Sequence, residues 1–135
     1  MKQLLFAILL WPVMASAQKK VTVAADGSGD YTSVQAALDA VPEGNSKPFT
    51  IFIRKGIYKE VIVVDARKGF VRLIGEDKDN TILTYDNHAG TRLPNGDTLN
   101  TWTCASFFVY GNDFHAENLT FQNTAVGRLN GTDLL

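Results

Sequence analysis

The residue types that carry out hydrolytic chemistry are all present in this 135-residue chain, so their spacing decides what they can do. Carboxylates recur close together as Asp26/Asp30, Glu76/Asp77/Asp79 and Asp97/Asp113. Two carboxylates held in different environments can serve as acid and base, or as acid and nucleophile. Each of these groups, however, sits among glycines or asparagines, where an aspartate bonds nearby backbone, so they read as solvated turns. Gly27-Ser28-Gly29 does not complete the G-x-S-x-G elbow of a serine hydrolase. His88 and His115 have no second histidine or cysteine at ligand spacing, which argues against a zinc site. The single cysteine, Cys104 in CASFFV, has no partner within the chain and reads as a small buried thiol.

The balance of charge removes another class. Thirteen Lys and Arg against fourteen Asp and Glu give a net charge of -1, with no basic stripe to displace counterions from a nucleic acid. At the front, MKQLLFAILLWPVMASAQKK places Lys2 before an apolar run from Leu4 to Met14 and then Ala15-Ser16-Ala17. That order predicts a secretory signal peptide over 1–17, cleaved after Ala17, and a secreted or periplasmic product. The apolar run is well short of the ~20 residues that span a bilayer and is broken by Pro12, so a membrane anchor is not expected. Asn118-Leu119-Thr120 and Asn130-Gly131-Thr132 are glycosylation sequons, relevant only in a host that glycosylates secreted chains.

The elements that would position any site are short. DGSGDYTSVQAALDAVPEG opens on turn residues, then offers Thr32-x-x-Gln35 as a capping box. Val34, Ala37, Leu38 and Val41 share a helical face, and Pro42 stops the helix, which the spacing predicts near 33–40 at about two to three turns. Beyond it the chain reads as strands: TIFI (50–53), VIVV (61–64), FVRLI (70–74), TILTY (81–85), SFFVY (106–110) and NLTF (118–121). Polar punctuation separates them, and no hairpin signal such as Asn-Gly joins them tightly. The pattern alone leaves a β-sandwich and a β-solenoid open. In the solenoid, rungs of roughly 20–25 residues would give about three rungs over 50–125, with the helix over the open end of the stack.

At this level the sequence resembles a known family. AADGSGDYTSVQAALDAVP, GIYKE (56–60), VRLIGEDKDNTIL (71–83) and ASFFVYGNDFHAENLTFQNTA (105–125) resemble, in order, the N-terminal part of pectinesterases. The resemblance implies an all-β fold, a right-handed parallel β-helix with one short capping helix, and a secreted protein acting on pectin of the plant cell wall. It implies hydrolysis of the methyl ester of galacturonate, with one aspartate attacking the carbonyl, a second handling the proton, a glutamine steadying the oxyanion and an arginine holding the nucleophile. No metal or organic cofactor is required.

The four stretches that carry those residues, Gln-Ala-Val, Gln-Asp-Thr, Asp-Phe-Ile-Phe-Gly and Gly-Arg-Pro-Trp, occur nowhere in the 135 residues. The expected organisation is therefore a leader (1–17), the first part of a pectinesterase domain (18–125) and a divergent tail (126–135), a shortened product without ester hydrolysis of its own. No catalytic residue is assigned. Thr101 takes the position of a substrate-contacting threonine, with a turn threonine as the alternative. Trp102 is a candidate for stacking on a sugar, although an aromatic beside a strand run is more often core. In GIYKE, Gly56, Tyr58 and Glu60 are expected to fix a turn and a packing contact. The competing function is a non-catalytic polysaccharide-binding solenoid that uses the face around Thr101 and Trp102, and a third reading is a remnant without a ligand.

Overall fold

The computed structural model describes residues 18–126. The expected signal peptide lies outside the described residues, as does all of the expected tail except the exposed Val126. Among the described residues, nine strands and one helix follow in the order β1 (Lys19–Val23), α1 (Val34–Asp39), β2 (Phe49–Ile53), β3 (Gly56–Lys59), β4 (Ile62–Val64), β5 (Val71–Gly75), β6 (Thr81–Tyr85), β7 (Phe107–Val109), β8 (His115–Glu117) and β9 (Thr120–Asn123).

Every pairing between these strands is parallel, and they form three sheets, β1-β2-β5-β8, β3-β6-β9 and β4-β7. Three strands in a row visit three different sheets, so each circuit stacks on the previous one. This is the parallel β-helix, and hairpins are excluded as its connections because they join antiparallel neighbours. The rows that stack inward are apolar: Val21, Ile51, Leu73 and Ala116 in the first sheet, Tyr58, Leu83 and Phe121 in the second, Ile62 and Phe107 in the third. Ile51 and Leu73 are fully buried, each worth about 1.5–3 kcal/mol relative to exposure.

The turns before β5 and β8 of the first sheet repeat as well. Phe70 and Asp113 both take left-handed backbone angles, with φ of 56° and 55°, and they stand in the same register two residues before Arg72 and His115. Gly75 meets the third circuit so closely that a β-carbon there would run into the carbonyl of Asn118. Asn118, itself left-handed, donates its side-chain amide to the Gly75 carbonyl at 3.0 Å.

The helix departs from expectation in two respects. It has six residues, under two turns, and its N-cap is Ser33, whose hydroxyl accepts from the Ala36 N–H at 3.2 Å, so the Thr32/Gln35 capping box does not form. So short a helix is marginal on its own, and the first circuit holds it at both ends. The Glu60 carboxylate accepts the N–H groups of Val34 (3.2 Å) and Gln35 (2.6 Å), and the Lys68 ammonium donates to the carbonyls of Leu38 (3.0 Å) and Asp39 (2.9 Å). Both charges suit the helix dipole.

Freed from the cap, Gln35 uses its carboxamide as a stand-in for a strand. Its oxygen accepts the Val63 N–H at 2.8 Å and its nitrogen donates to the Val63 carbonyl at 3.2 Å, closing part of the open edge of β4. Val34, Ala37, Leu38 and Val41 pack into the core beneath. The helix thus covers the end of the stack where the second and third sheets have no strand beyond β3 and β4.

GIYKE has the packing role expected of it, and Gly56 to Lys59 is also a strand. Tyr58 is 3% exposed and its hydroxyl donates to the Arg54 carbonyl at 2.9 Å. A β-carbon on Gly56 would sit 3.4 Å from the Tyr58 ring, and its φ of 156° favours glycine. β8 was not legible as a strand, and the Asn95-Gly96 pair, absent from the expectation, does make a turn. It closes an antiparallel bridge between Arg92 and Thr98 inside the long segment from β6 to β7, with Gly96 at φ 91°. No helix among the described residues is long and apolar enough to cross a membrane.

Candidate functional site

The β6–β7 connection, residues 86–106, is by far the longest in the stack, and it carries Thr101 and Trp102. Loops of this length on a rigid scaffold are where ligands are usually met. Its base is fastened to the second sheet. Thr124 donates its N–H to the Tyr85 carbonyl at 2.8 Å, Asn123 donates its amide to the Asn87 carbonyl at 3.0 Å, and Lys59 pairs with Asp86 at 3.1 Å while lying 5.8 Å from the centre of the Tyr85 ring.

Local hydrogen bonds shape the loop itself. Gly90 N–H donates to Leu99 and Leu99 N–H to Thr91, each at 2.8 Å, and the His88 Nδ1 and Thr91 hydroxyl share a bond of 3.0 Å. At its far part Asn100 nucleates a turn: its side-chain oxygen accepts the N–H groups of Trp102 (2.9 Å) and Thr103 (3.1 Å), and its own N–H donates to the Thr103 hydroxyl at 2.9 Å. Asparagine does this because its amide mimics a peptide one residue early.

Thr101 and Trp102 occupy the middle of that turn and are both exposed, Trp102 at 88%. The core placement favoured for Trp102 does not hold: adjacency to a strand in sequence says nothing about a residue held outside the stack by an Asx turn. Cys104 is half-buried, less enclosed than expected, with its S–H directed to the Thr101 carbonyl at 3.6 Å. Thr101 and Trp102, neighbours in sequence, are thus both exposed on one turn of the loop. Downstream, Phe108 on β7 stacks with the exposed Tyr110 at 6.2 Å and 15°, an aromatic pair the sequence reading passed over. In the ladder beneath, Thr84 lies between Lys59 and Gln122 and keeps a buried hydroxyl with no hydrogen-bond partner.

Five of these acids accept hydrogen bonds, Asp26, Asp77 and Asp97 within their own turns and Asp30 and Glu76 from more distant backbone. Asp26 accepts from the Ser28 hydroxyl and N–H at 2.6 and 2.9 Å, Asp30 from the Thr22 N–H at 2.8 Å, and Glu76 from the Lys55 N–H at 2.8 Å. Asp77 takes the N–H groups of Asp79 and Asn80 and the Asn80 amide, and Asp97 takes the Asn95 amide at 2.7 Å. Asp113 holds its left-handed corner. The hydrogen bonds to Ser28 lower the pKa of Asp26, and those from Asp79 and Asn80 lower that of Asp77. The Arg67 guanidinium, bonded to Asp65 at 2.9 Å, holds that carboxyl far below the usual range. These shifts all favour the ionised form, the opposite of what a general acid needs. Burial raises the Tyr58 phenol, which fits a structural tyrosine. No group of three His, Cys, Asp or Glu among the described residues could hold a metal ion.

Comparison with known proteins gives one answer. The family model described as Pectinesterase matches residues 20–131. Pectinesterase 31 of Arabidopsis thaliana is 40% identical over 114 residues, which cover 79% of this chain and 35% of the relative. A pectinesterase of Petunia integrifolia is 39% identical over 112 residues, 83% of this chain and 28% of the relative. Among solved structures, pectin methylesterase from carrot superposes with a TM-score of 0.68 at 35% identity, covering 82% of this chain and 33% of that one. A pectin methylesterase in complex with a hexasaccharide superposes with a TM-score of 0.71 at 25% identity, covering 82% and 32%. The chain spans between about a sixth and about a third of the length of the curated relatives it matches.

Proposed function

The chain belongs to the pectinesterase family, and from that premise we propose that it serves the hydrolysis of galacturonate methyl esters in pectin, with these residues as scaffold and substrate platform. The observation that carries this reading is the family match over residues 20–131. In this reading residues 18–125 build the cap and first circuits of the β-helix, residues 1–17 direct the chain out of the cell, and the 86–106 segment contacts the polysaccharide through Thr101 and Trp102.

The same reading gives the 135-residue polypeptide no ester hydrolysis by itself. Ester cleavage through a carboxylate needs one acid kept ionised and another kept protonated. The shifted carboxylates Asp26, Asp65 and Asp77 are all pushed towards ionisation and lie outside the 86–106 segment. The four stretches that carry the family's chemistry are likewise missing from the sequence.

Affinity electrophoresis in gels containing highly methylated pectin tests the platform. Retardation of the parent chain that Trp102→Ala abolishes and Lys78→Gln leaves intact is the expected result. Unretarded migration of the parent contradicts the reading. The exposed pair of Thr101 and Trp102 also favours the second reading, a polysaccharide-binding module without catalysis, which predicts the same retardation and differs in having no catalytic partner to serve.

A further inference from the structure

The outer face of the four-stranded sheet carries a row that the 86–106 segment does not use. Across β1, β2, β5 and β8, Lys20, Thr50, Arg72 and His115 stand in register, so the row runs along the stacking axis with roughly 4.8 Å between neighbouring strands. Beside it lies the row of residues that lead into those strands, Pro48, Phe70 and Asp113. Pro48, Phe70, Arg72, Asp113 and His115 together line a groove of about 220 Å³.

Three features give this groove a chemistry. Arg72 is only half exposed yet takes part in none of the ion pairs among the described residues, Asp113 across the groove included. A guanidinium in that position retains its planar fork of donors for a ligand. Phe70, 36% exposed, is held at a φ costly for an aromatic residue, its N–H donating to the Asn112 carbonyl at 3.0 Å and its own carbonyl accepting from Phe49 at 2.9 Å. Phe70 lines the groove from this anchored main-chain position. Lys20 stands two strands from Arg72, beyond Thr50, with its ammonium 5.1 Å from the centre of the Phe52 ring, and the His115 imidazole stands on the other side of Arg72, 3.1 Å from the Glu117 carboxylate.

We propose that this groove binds a linear saccharide bearing free carboxylates, a demethylated polyuronate, at a second site on a different sheet from the 86–106 segment. A carboxylate accepts two parallel hydrogen bonds from Arg72, the apolar face of a pyranose lies against Phe70, and the next acidic units along the chain meet Lys20 or His115. A methyl ester carries no charge, so the groove selects the demethylated polymer over the esterified one. The choice of a uronate rests on the pectin reading above, whereas the cation row and the groove do not.

The test is isothermal titration of the purified 135-residue chain with polygalacturonate, highly methylated pectin and dextran sulfate. Polygalacturonate is expected to bind, more weakly as salt rises. Arg72→Gln is expected to weaken that binding about tenfold, and Lys78→Gln, the same charge change outside the groove, to leave it within about twofold. Should circular dichroism show that Arg72→Gln is unfolded, Lys20→Gln decides in its place with the same direction of effect. Absence of polygalacturonate binding overturns the proposal. So does an unchanged affinity in the groove variant, or dextran sulfate binding as tightly as polygalacturonate, which reduces the effect to unspecific charge. Arg72-dependent polygalacturonate binding together with no hold on methylated pectin supports the groove and counts against the platform around Trp102, so the two readings fail separately.

Discussion

Replacing Glu60 by alanine removes the acceptor for two helix N–H groups at once, Val34 at 3.2 Å and Gln35 at 2.6 Å. Hydrogen bonds to a charged group contribute about 1.5–3 kcal/mol when buried, and loss of a helix cap costs about 1 kcal/mol. Glu60 is half-buried, and the vacated N–H groups regain some water, so the loss is about 2–3 kcal/mol. Against a stability of about 5–15 kcal/mol for a domain, that is a large share. At about 4–8 °C per kcal/mol for a domain near this size, the melting temperature falls by about 10 °C or more. Glu60→Gln keeps one neutral acceptor and costs about 1 kcal/mol. Lys59→Ala, the neighbour in sequence, removes an exposed pair with Asp86 and an exposed contact with the Tyr85 ring and costs about 0.5–1 kcal/mol. Urea denaturation followed by circular dichroism measures all three. If Glu60→Ala costs no more than Lys59→Ala, the view that the first circuit anchors the helix through Glu60 is wrong.

Further expectations follow from the same contacts. Gly75→Ala drives a methyl into the Asn118 carbonyl and costs about 1–3 kcal/mol, read as a lower urea midpoint; an unchanged midpoint contradicts the close approach of the second and third circuits. Gln35→Leu unclips Val63, and analytical ultracentrifugation is expected to show self-association through the freed edge of β4, whereas a monomer at all concentrations counts against that role. Asp26, Asp65 and Asp77 have folded pKa values below their unfolded ones, so their stabilisation is complete above about pH 4 and is lost as pH falls through the folded values. Changing all three to asparagine should flatten the fall in urea midpoint below pH 4, and an equally steep fall refutes it. Trp102→Ala, at an exposed turn, is expected to shift stability by no more than about 0.5 kcal/mol, and a larger loss in the same titration shows the indole to be structural.

How much of this was legible depends on which force set each element. TILTY became β6 at its expected bounds, and TIFI, VIVV and SFFVY became strands within a residue or so, because β-branched and aromatic side chains fill the inward rows that drive the stack. HAE carries no such signal: His115 and Glu117 face outward, and only Ala116 stacks inward on Leu73. Its strand conformation comes from register with β5, a tertiary cause. The Thr32/Gln35 box failed for a related reason, since Glu60, 25 residues away in sequence from Gln35, reaches the helix N–H groups and releases Gln35 to Val63.

The site was readable in kind and less so in detail. Turn chemistry identified Asp26 and Asp77 as residues that bond nearby backbone, because aspartate beside glycine or asparagine acts locally, whereas Asp30 and Glu76 reach backbone N–H groups 8 and 21 residues away and Asp97 holds a side-chain amide. Trp102 was harder, since its exposure follows from the Asn100 turn, and Asn100 is unremarkable until its side-chain oxygen is seen to hold Trp102 and Thr103. The groove at Arg72 was invisible to sequence altogether. Pro48, Phe70 and Asp113 become neighbours only when the circuits stack, across separations that no short motif spans.

Methanol release from highly methylated pectin by the purified 135-residue chain tests the division between scaffold and chemistry most directly. Release indistinguishable from a heat-denatured control is the predicted outcome. Sustained turnover at neutral pH would show that carboxylates within these residues, held in turns as they are, can cleave the ester after all.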